Sequence, residues 1–489
     1  MDGIFGISLH GAGREMKMGV LACTKRKIGI NRGQMRIWME GRGPARAGFL
    51  PGSRFSIRVH DERRAVVIRL DPEGTRVVSR KGQEGSLQPV IDINSTQLLK
   101  PFEGQSLVRV MVMEGEIWIL PLAFEVKRRE RIERMRAEVN AGVISTATAF
   151  HGAGVMSDAI HEGLRESGLV PRMKWAVEME ESYLDIAFEG SSSWSDETKA
   201  LALPLQELAF GDDYLLSRLD RVSLFEAGIP CTASSSAGRA KKHLRSPEDD
   251  AKAGHLVAAL LVLIARSNPF GVLFECVVNY SNSASAAILR TQLTEMGYDL
   301  HEMVIEGKDY ALENRRRWVM VGITSGYAFD LAAFVAPPRA IQCVRDILDP
   351  IQDDSEEWSS MAGLKEKEKR DIAAGKGFRM VTYAGDETAV NCVTAGYARR
   401  RSTDPKLQHP TNPDLLRQFT VAEHARLKGI PERLLAAAPG VTLGHQILGQ
   451  SVIWPAFKHA AHFVGQALQR MANVDPVVDD RPPAFALTS

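Results

Sequence analysis

The chain is poor in most features that would classify it quickly. Its 489 residues hold five cysteines, Cys23, Cys231, Cys276, Cys343 and Cys392, with no CxxC pair and no histidine at metal-ligand spacing. A disulfide scaffold and a zinc ribbon are therefore excluded, and no metal is expected. Long apolar runs are also missing. The longest, Leu256 to Ala265, is too short to cross a bilayer and reads as a buried helix, so no membrane partner is expected. Neither sign of charge dominates: 61 Lys and Arg face 60 Asp and Glu, for a net charge of +1. Any hold on nucleic acid must then come from local basic clusters. The start, Met1-Asp2-Gly3-Ile4, lacks the charged and apolar regions of a secretory signal, and a reduced, cytoplasmic setting that keeps thiols free is expected. With 44% hydrophobic and 25% charged residues, the composition is that of an ordinary globular chain, and its length suggests two or three domains.

What the chain does contain is a proline-cysteine pair, Pro230-Cys231, in the loop Gly228-Ile229-Pro230-Cys231-Thr232-Ala233-Ser234-Ser235-Ser236-Ala237-Gly238-Arg239. Phe274-Glu275-Cys276-Val277 and Arg315-Arg316-Arg317 follow it. These segments supply a nucleophile, an acid and a guanidinium clamp. One chemistry they can serve is addition to a pyrimidine, whose C6 is electron-poor. A thiolate adding there turns C5 into a carbon nucleophile, an acid held at N3 answers the charge that builds on the ring, and a guanidinium at O2 spreads it. Cys231, Glu275 and Arg315 are candidates for those roles. A lone Pro-Cys is weak evidence, since most cysteines are small buried hydrophobes.

Upstream, Gly142-Val143-Ile144 reads as a strand. It leads into the turn Phe150-His151-Gly152-Ala153-Gly154, and Val155, Ile160, Leu164 and Leu169 then follow at helical spacing. That strand, glycine turn and helix let a backbone approach a ligand closely. Trp175-Ala176-Val177 reads as a second strand ending in Glu178, an acid suited to ribose hydroxyls in doubly wound sheets. The plain alternative is a solvated strand-end carboxylate. Thr420 is a good N-cap with Glu423 three residues on, as in a capping box.

Taken in order, these segments resemble the motifs of the DNA cytosine-5 methyltransferases over roughly residues 143 to 470. Phe150 to Gly154 stands for FxGxG and Glu178 for the acid ending strand two. Gly211-Asp212, Pro230-Cys231, Glu275-Cys276-Val277 and Glu313-Asn314-Arg315-Arg316-Arg317 follow. The late helix Thr420-Val421-Ala422-Glu423-His424-Ala425-Arg426-Leu427-Lys428-Gly429-Ile430-Pro431 and Gly449-Gln450-Ser451-Val452 complete the set. The resemblance implies an α/β fold, a doubly wound Rossmann-like domain dependent on S-adenosylmethionine, with a small target-recognition segment. Its implied function is methyl transfer to C5 of a cytosine flipped out of double-stranded DNA through a covalent Cys231 adduct, with S-adenosylhomocysteine as product and no metal.

For the cofactor the resemblance points to Phe150, Gly152, Gly154, Glu178, Asp212, Pro230, Gln450 and Ser451. For catalysis it points to Cys231, Glu275, Arg315 and Arg317, and for DNA to Ser235, Arg239, Arg379, Arg399, Arg400 and Arg401. The chain departs from the pattern where Cys276 replaces an asparagine, Glu313 a glutamine, Thr232 a glutamine and Gln450 an asparagine. No acidic residue precedes Phe150, where Thr146-Ala147-Thr148-Ala149 stands. Two other readings remain open here: a silent relative that binds DNA, and an enzyme modifying C5 of another pyrimidine or with another donor.

Residues 1 to 126 lie outside that pattern. Arg54 to Val59 and Leu107 to Val112 alternate polar and apolar as strands do. A repeat is visible: Met35 to Trp38, Ala47 to Gly52, Phe55 to Val59 and Ala65 to Leu70 are echoed by Val90 to Ile93, Pro101 to Gly104, Leu107 to Val112 and Glu116 to Leu120. The first copy weakly resembles swapped-hairpin barrels of the SymE and AbrB type, and a homodimer through this β-rich part stays open. Lys25, Arg26, Lys27, Arg32, Arg36, Arg42, Arg46 and Arg54 would supply phosphate contacts or form a solvated face. The expected organisation continues with a linking helix over 127–141, a catalytic domain over 142–338, target recognition over 339–416, a return to the catalytic domain over 417–473 and a tail over 474–489.

Overall fold

The computed structural model describes residues 19–83, 87–211, 213–230, 248, 250, 254–377 and 379–477. The described residues divide into two compact units, one up to residue 130 and one over 131–477.

In the first unit the sequence repeat is also a repeat in space. Gln34–Glu40 and Gln88–Asn94 pair antiparallel, with Ile37 opposite Ile93. The hairpins Arg54–His60 with Ala65–Leu70 and Leu107–Met113 with Glu116–Leu120 join edge to edge, Ile68 opposite Ile117. One half alone has a single apolar face and nothing to bury it against. Together Ile37, Phe49 and Ile68 of one copy and Ile93, Phe102 and Ile117 of the other form a shared, fully buried core. Arg36, expected on a phosphate-binding face, is held by both carboxylate oxygens of Asp92 at 2.8 and 2.9 Å and lies over Trp38. The helix expected over 127–141 runs Ala123–Asn140, and the division between units falls inside it.

The second unit is a doubly wound α/β domain. Its seven-stranded sheet consists of β1 (Val143–Ala149), β2 (Val170–Glu178), β3 (Lys199–Ala202), β4 (Leu224–Gly228), β5 (Gly271–Cys276), β6 (Tyr298–Glu306) and β7 (Arg316–Thr324). They lie in the order β3-β2-β1-β4-β5-β7-β6. All are parallel except β7, which runs antiparallel to both β5 and β6. Strands covered on both faces read as continuous apolar runs, and every residue of β5 is buried.

Two helix layers provide that cover. On one face α1 (Val155–Glu166) and α2 (Glu181–Gly190) lie with a long late helix, and on the other lie α3 (Leu256–Ser267) and α4 (Ala284–Glu295). The apolar run from Leu256 is thus a core helix, with Leu260, Leu263 and Ile264 buried against Phe225 and Phe274. The chain returns through α5 (Val421–Leu427), α6 (Gly440–Gln450) and α7 (Trp454–Ala472), and α7 packs along α1. Asp158 of α1, fully buried, takes both nitrogens of Arg433 at 2.8 and 3.0 Å and Trp454 Nε1 at 2.9 Å. These contacts join the first helix of the sheet to the end of the chain. Burial alone would raise the Asp158 carboxyl, yet Arg433, Trp454 and Ser192 hold it below its ordinary range.

Residues 339–416 form a small lobe with the helix Ala362–Ala373 and a three-stranded sheet, Val381–Tyr383, Pro405–Gln408 and Leu416–Arg417. Its core is Val344, Ile347, Val390, Val393, Tyr397 and Leu407. Thr420 and Glu423 form the expected capping box on α5, and Arg417 grips Glu423 with two 2.7 Å hydrogen bonds. No helix among the described residues is long and apolar enough to cross a membrane.

Candidate functional site

The site is built where β1, β2, β4 and β5 end. After β1 the chain turns sharply: Phe150 and Gly152 are left-handed, at φ of +58° and +56°, and Gly154, at +79°, caps α1. Glycine suits these last two positions because an L side chain is strained there. At Gly154 a Cβ would also lie 3.0 Å from Ala187 Cβ and 3.1 Å from His151 Nε2, whereas the space over Gly152 is open. Glu178, at the end of β2, braces the turn. It accepts the Gly152 amide at 2.8 Å, with Met179 and Glu180 amides at 2.9 and 3.2 Å.

At the ends of β4 and β5, Ile229 is held from both sides. Its amide donates to Glu275 O at 2.8 Å, and its carbonyl accepts from Cys276 Sγ at 3.3 Å. This fixes the approach to Pro230, the last described residue before the loop. A cavity of about 460 Å³ opens between these elements, within the roughly 300–1,000 Å³ usual for small-molecule sites. Phe150, Val177, Leu203 and Leu205 give it an apolar wall; Glu178, Glu275, Arg317, Gln450 and Ser451 are among its polar groups.

Most of the expected cofactor residues meet there. Phe150, Gly152, Glu178, Pro230, Gln450 and Ser451 line the cavity, while Gly154 stands behind as the cap of α1. Asp212 lies outside the described residues, as do Cys231, Ser235 and Arg239. Glu275 and Arg317 also line the cavity, joined by an ion pair of 2.6 Å. By position it is Arg317, not Arg315, that faces the cavity. Arg315 is drawn behind, donating to Glu313 Oε1 at 3.3 Å, Cys392 Sγ at 3.1 Å and Gly449 O at 3.0 Å. It is not among the described lining residues.

Arg379, Arg399, Arg400 and Arg401 are exposed on the 339–416 lobe. Arg401 already pairs with Asp404 at 3.1 Å and donates to Thr394 Oγ1, and Arg400 donates to Gln418 at 3.2 Å.

At the cavity wall, burial and the neighbouring cations act on Glu275 in opposite directions. Burial pushes the Glu275 carboxyl up, and the cations Arg317, Arg315 and Lys428 offset this only in part. Behind it Lys428, fully buried, contacts Glu313 at 2.8 Å. Burial and Arg315 push the Lys428 ammonium down to about 8. Against its own burial, Lys428 and Arg315 keep the Glu313 carboxyl below its ordinary range. These ion pairs place a positive reserve behind the Glu275 carboxyl.

Several residues of the site have no warning in the sequence. Lys428 reads as a surface lysine near a helix end. Tyr183, which receives a 2.8 Å hydrogen bond from Gln446, and Ser157 look like ordinary helix residues. His151, inside the glycine turn, is buried and held neutral, its pKa pushed down to about 3 by desolvation. One signal was available: Glu226 is a charge inside an otherwise apolar strand.

The family model for C-5 cytosine-specific DNA methylases matches residues 202–465. Among solved structures, the chain is similar to the Dnmt2 methyltransferase of S. pombe, with 16% identity and a TM-score of 0.51 over 67% of this chain and 99% of that one. It is also similar to the Entamoeba histolytica methyltransferase EhMeth, with 14% identity and a TM-score of 0.50 over 66% of this chain and 97% of that one. At such identities the likeness speaks for the fold alone. No curated protein matches the sequence.

Proposed function

The chain belongs to the C-5 cytosine-specific DNA methylase family, which makes it a DNA cytosine-5 methyltransferase dependent on S-adenosylmethionine, and from that premise we propose the division of labour among its residues. The residues of the cavity fit the cofactor: the turn is open above Gly152, a carboxylate stands at the end of β2, and the opposite wall is apolar. Phe150, Gly152 and Gly154 would shape its bed, Glu178 would hold ribose hydroxyls, and Pro230, Gln450 and Ser451 would close the sides. Asp212 is proposed for the adenine amine. When bound, S-adenosylmethionine supplies an electrophilic methyl group for C5, leaving S-adenosylhomocysteine. Transfer from a sulfonium needs no metal.

Cys231 adds as thiolate to C6 of a flipped cytosine and leaves again when the C5 proton is lost. Glu275 donates to N3 while negative charge builds on the ring. Arg317 holds the Glu275 carboxyl and meets the O2 edge, a task that its position favours over Arg315. Arg315 keeps Glu313, Gly449 and the lobe together from behind. Arg379, Arg399 and Arg400 would contact DNA, with Ser235 and Arg239 from the Cys231 loop. Arg401, tied to Asp404, would shape the turn that presents its neighbours.

The single observation that carries this reading is the buried Glu275–Arg317 pair at the cavity wall, on the strand that clamps Ile229 ahead of Pro230-Cys231. Its test is incubation of the full chain with labelled donor and 5-fluorocytosine DNA. A covalent complex in the parent and none in Cys231→Ser is expected. DNA binding with no adduct in the parent would replace the reading with that of a silent DNA-binding relative.

A further inference from the structure

Strand β4 and its approach, Val222-Ser223-Leu224-Phe225-Glu226-Ala227-Gly228, contain one ionisable residue, and Glu226 is 1% exposed. Strand pairing sets it between Thr148 of β1 and Leu273 of β5. Alternation along the strand puts Glu226 on the face of Leu224, towards α1, while Phe225 and Ala227 pack beneath α3 on the other. Its neighbours on that face, Thr148, Gly228 and Ser157, line the cavity. The Glu226 carboxyl is therefore one layer below the cavity floor.

No hydrogen bond of ordinary geometry reaches either carboxyl oxygen. The Ser157 hydroxyl beside it eases only part of the cost of burial. The polarity of the neighbouring network explains why. Trp194 Nε1 donates to His151 Nε2 at 3.1 Å, so the proton of this neutral imidazole sits on Nδ1, which donates to Ser157 Oγ at 3.0 Å. One hydroxyl hydrogen is left for Glu226.

The other ionisable groups on the packed elements are already answered. His151 in the turn and His161 on α1 are both neutral, pushed down to about 3 by burial. Asp158 on α1 belongs to Arg433, and Glu275 on β5 to Arg317. Among the described residues no cation pairs with Glu226. Desolvation pushes its carboxyl up to about 8, so near neutral pH it is an uncharged acid awaiting a positive charge.

We propose that Glu226 reads the charge of the cavity's occupant, giving up its proton when that occupant is a sulfonium and regaining it when only the thioether remains. The proposal rests on the reading that the cavity holds S-adenosylmethionine. Donor binding would release the Glu226 proton to solvent, leaving a carboxylate beneath the floor to answer the donor's positive charge. Methyl transfer removes the positive charge. The carboxylate is left uncompensated, takes a proton from water, and the neutral product loses the attraction that held the donor. Glu226 is in this sense a specificity residue for donor over product.

The test is calorimetric titration of the full chain with S-adenosylmethionine and with S-adenosylhomocysteine, in two buffers of different ionisation heat. Near pH 7 the donor should release a substantial fraction of one proton and the product none. The donor-over-product affinity ratio should rise at least about threefold between pH 6.5 and 8.5. Glu226→Gln should abolish the release and flatten the ratio. Ser157→Ala, which removes the hydroxyl beside the carboxyl, should shift the release to higher pH. A parent that binds the donor without releasing a proton, or a Glu226→Gln chain that still releases one, overturns the proposal. Failure of the parent to bind either ligand would overturn the cavity assignment itself.

Discussion

The Cys276 thiol donates to the carbonyl of Ile229 at 3.3 Å, two residues before Cys231. The position at which the family pattern carries an asparagine is thus still tied to the nucleophile loop, though through a weak S–H donor. Removing that donor should loosen the loop without touching the reacting groups. Cys276→Ala is expected to lower single-turnover methyl transfer about three- to tenfold with DNA affinity unchanged, a loss equal to roughly one weak hydrogen bond. Cys276→Asn should restore or exceed the parent rate. An alanine variant as fast as the parent would show that the contact holds nothing in place.

The two arginines of the Arg315-Arg316-Arg317 run should fail in different ways. Arg317→Ala takes from Glu275 its partner at the cavity wall and should cost about a hundredfold or more in kcat, with a smaller fall in melting temperature than Arg315→Ala. Arg315→Ala leaves Glu313 and Lys428 with one cation fewer in a fully buried site, and should cost about 3 kcal/mol of stability. Thermal melts beside single-turnover rates separate the two outcomes. Equal loss of stability in both variants would contradict the division.

Glu275 should also set the alkaline limit of the reaction. Burial raises its pKa above the ordinary carboxyl value, so the donating form persists to higher pH and is lost as pH climbs through that raised value. Glu275→Gln keeps a hydrogen-bond donor but cannot ionise. The prediction is a rate at least about a hundredfold lower that no longer falls on the alkaline side, read from kcat against pH.

Glu226 binds its proton more tightly folded than unfolded, because burial raises it from 4.5 to about 8. Its contribution to stability is therefore complete below about pH 4.5 and disappears as pH rises through about 8, at about 1.4 kcal/mol per pH unit in between. Without ligand, the melting temperature of Glu226→Gln relative to the parent should climb from pH 6 to about 8 and level off above it. Parallel curves would mean that Glu226 is solvated in solution.

On the lobe, Arg399→Ala and Arg400→Ala should each weaken DNA binding and reduce the salt slope of log K by roughly 0.9, the signature of one lost phosphate contact. Arg401→Ala should instead disturb the turn held by Asp404 and Thr394, visible as a lower melting temperature. An unchanged slope for Arg399 and Arg400 would direct attention to base edges, where loss depends on sequence.

Much of this was legible in the amino-acid sequence wherever one local rule decides the outcome. The alternation of Arg54 to Val59, the glycine turn from Gly152 and the capping box of Thr420 and Glu423 depend on neighbours a few residues away, and each appears where the pattern puts it. The choice between Arg315 and Arg317 depends on Lys428 and Gly449, more than a hundred residues away, so spacing alone could not make it. The 339–416 lobe was opaque for a related reason. Its order rests on buried polar anchors such as Lys406, whose ammonium donates to the carbonyls of Arg401, Ser402 and Asp404, and such anchors leave no periodicity.

The bond from Asp158 to Arg433 and Trp454 bears on how the protein is made. During vectorial synthesis, α1 emerges with its apolar side and a buried-to-be carboxylate uncovered, and almost 300 residues must follow before their partners leave the ribosome. Contacts of such long sequence separation form slowly. The nascent chain must therefore hold the cofactor bed half-built through most of translation, a period in which a chaperone would be the natural cover for α1.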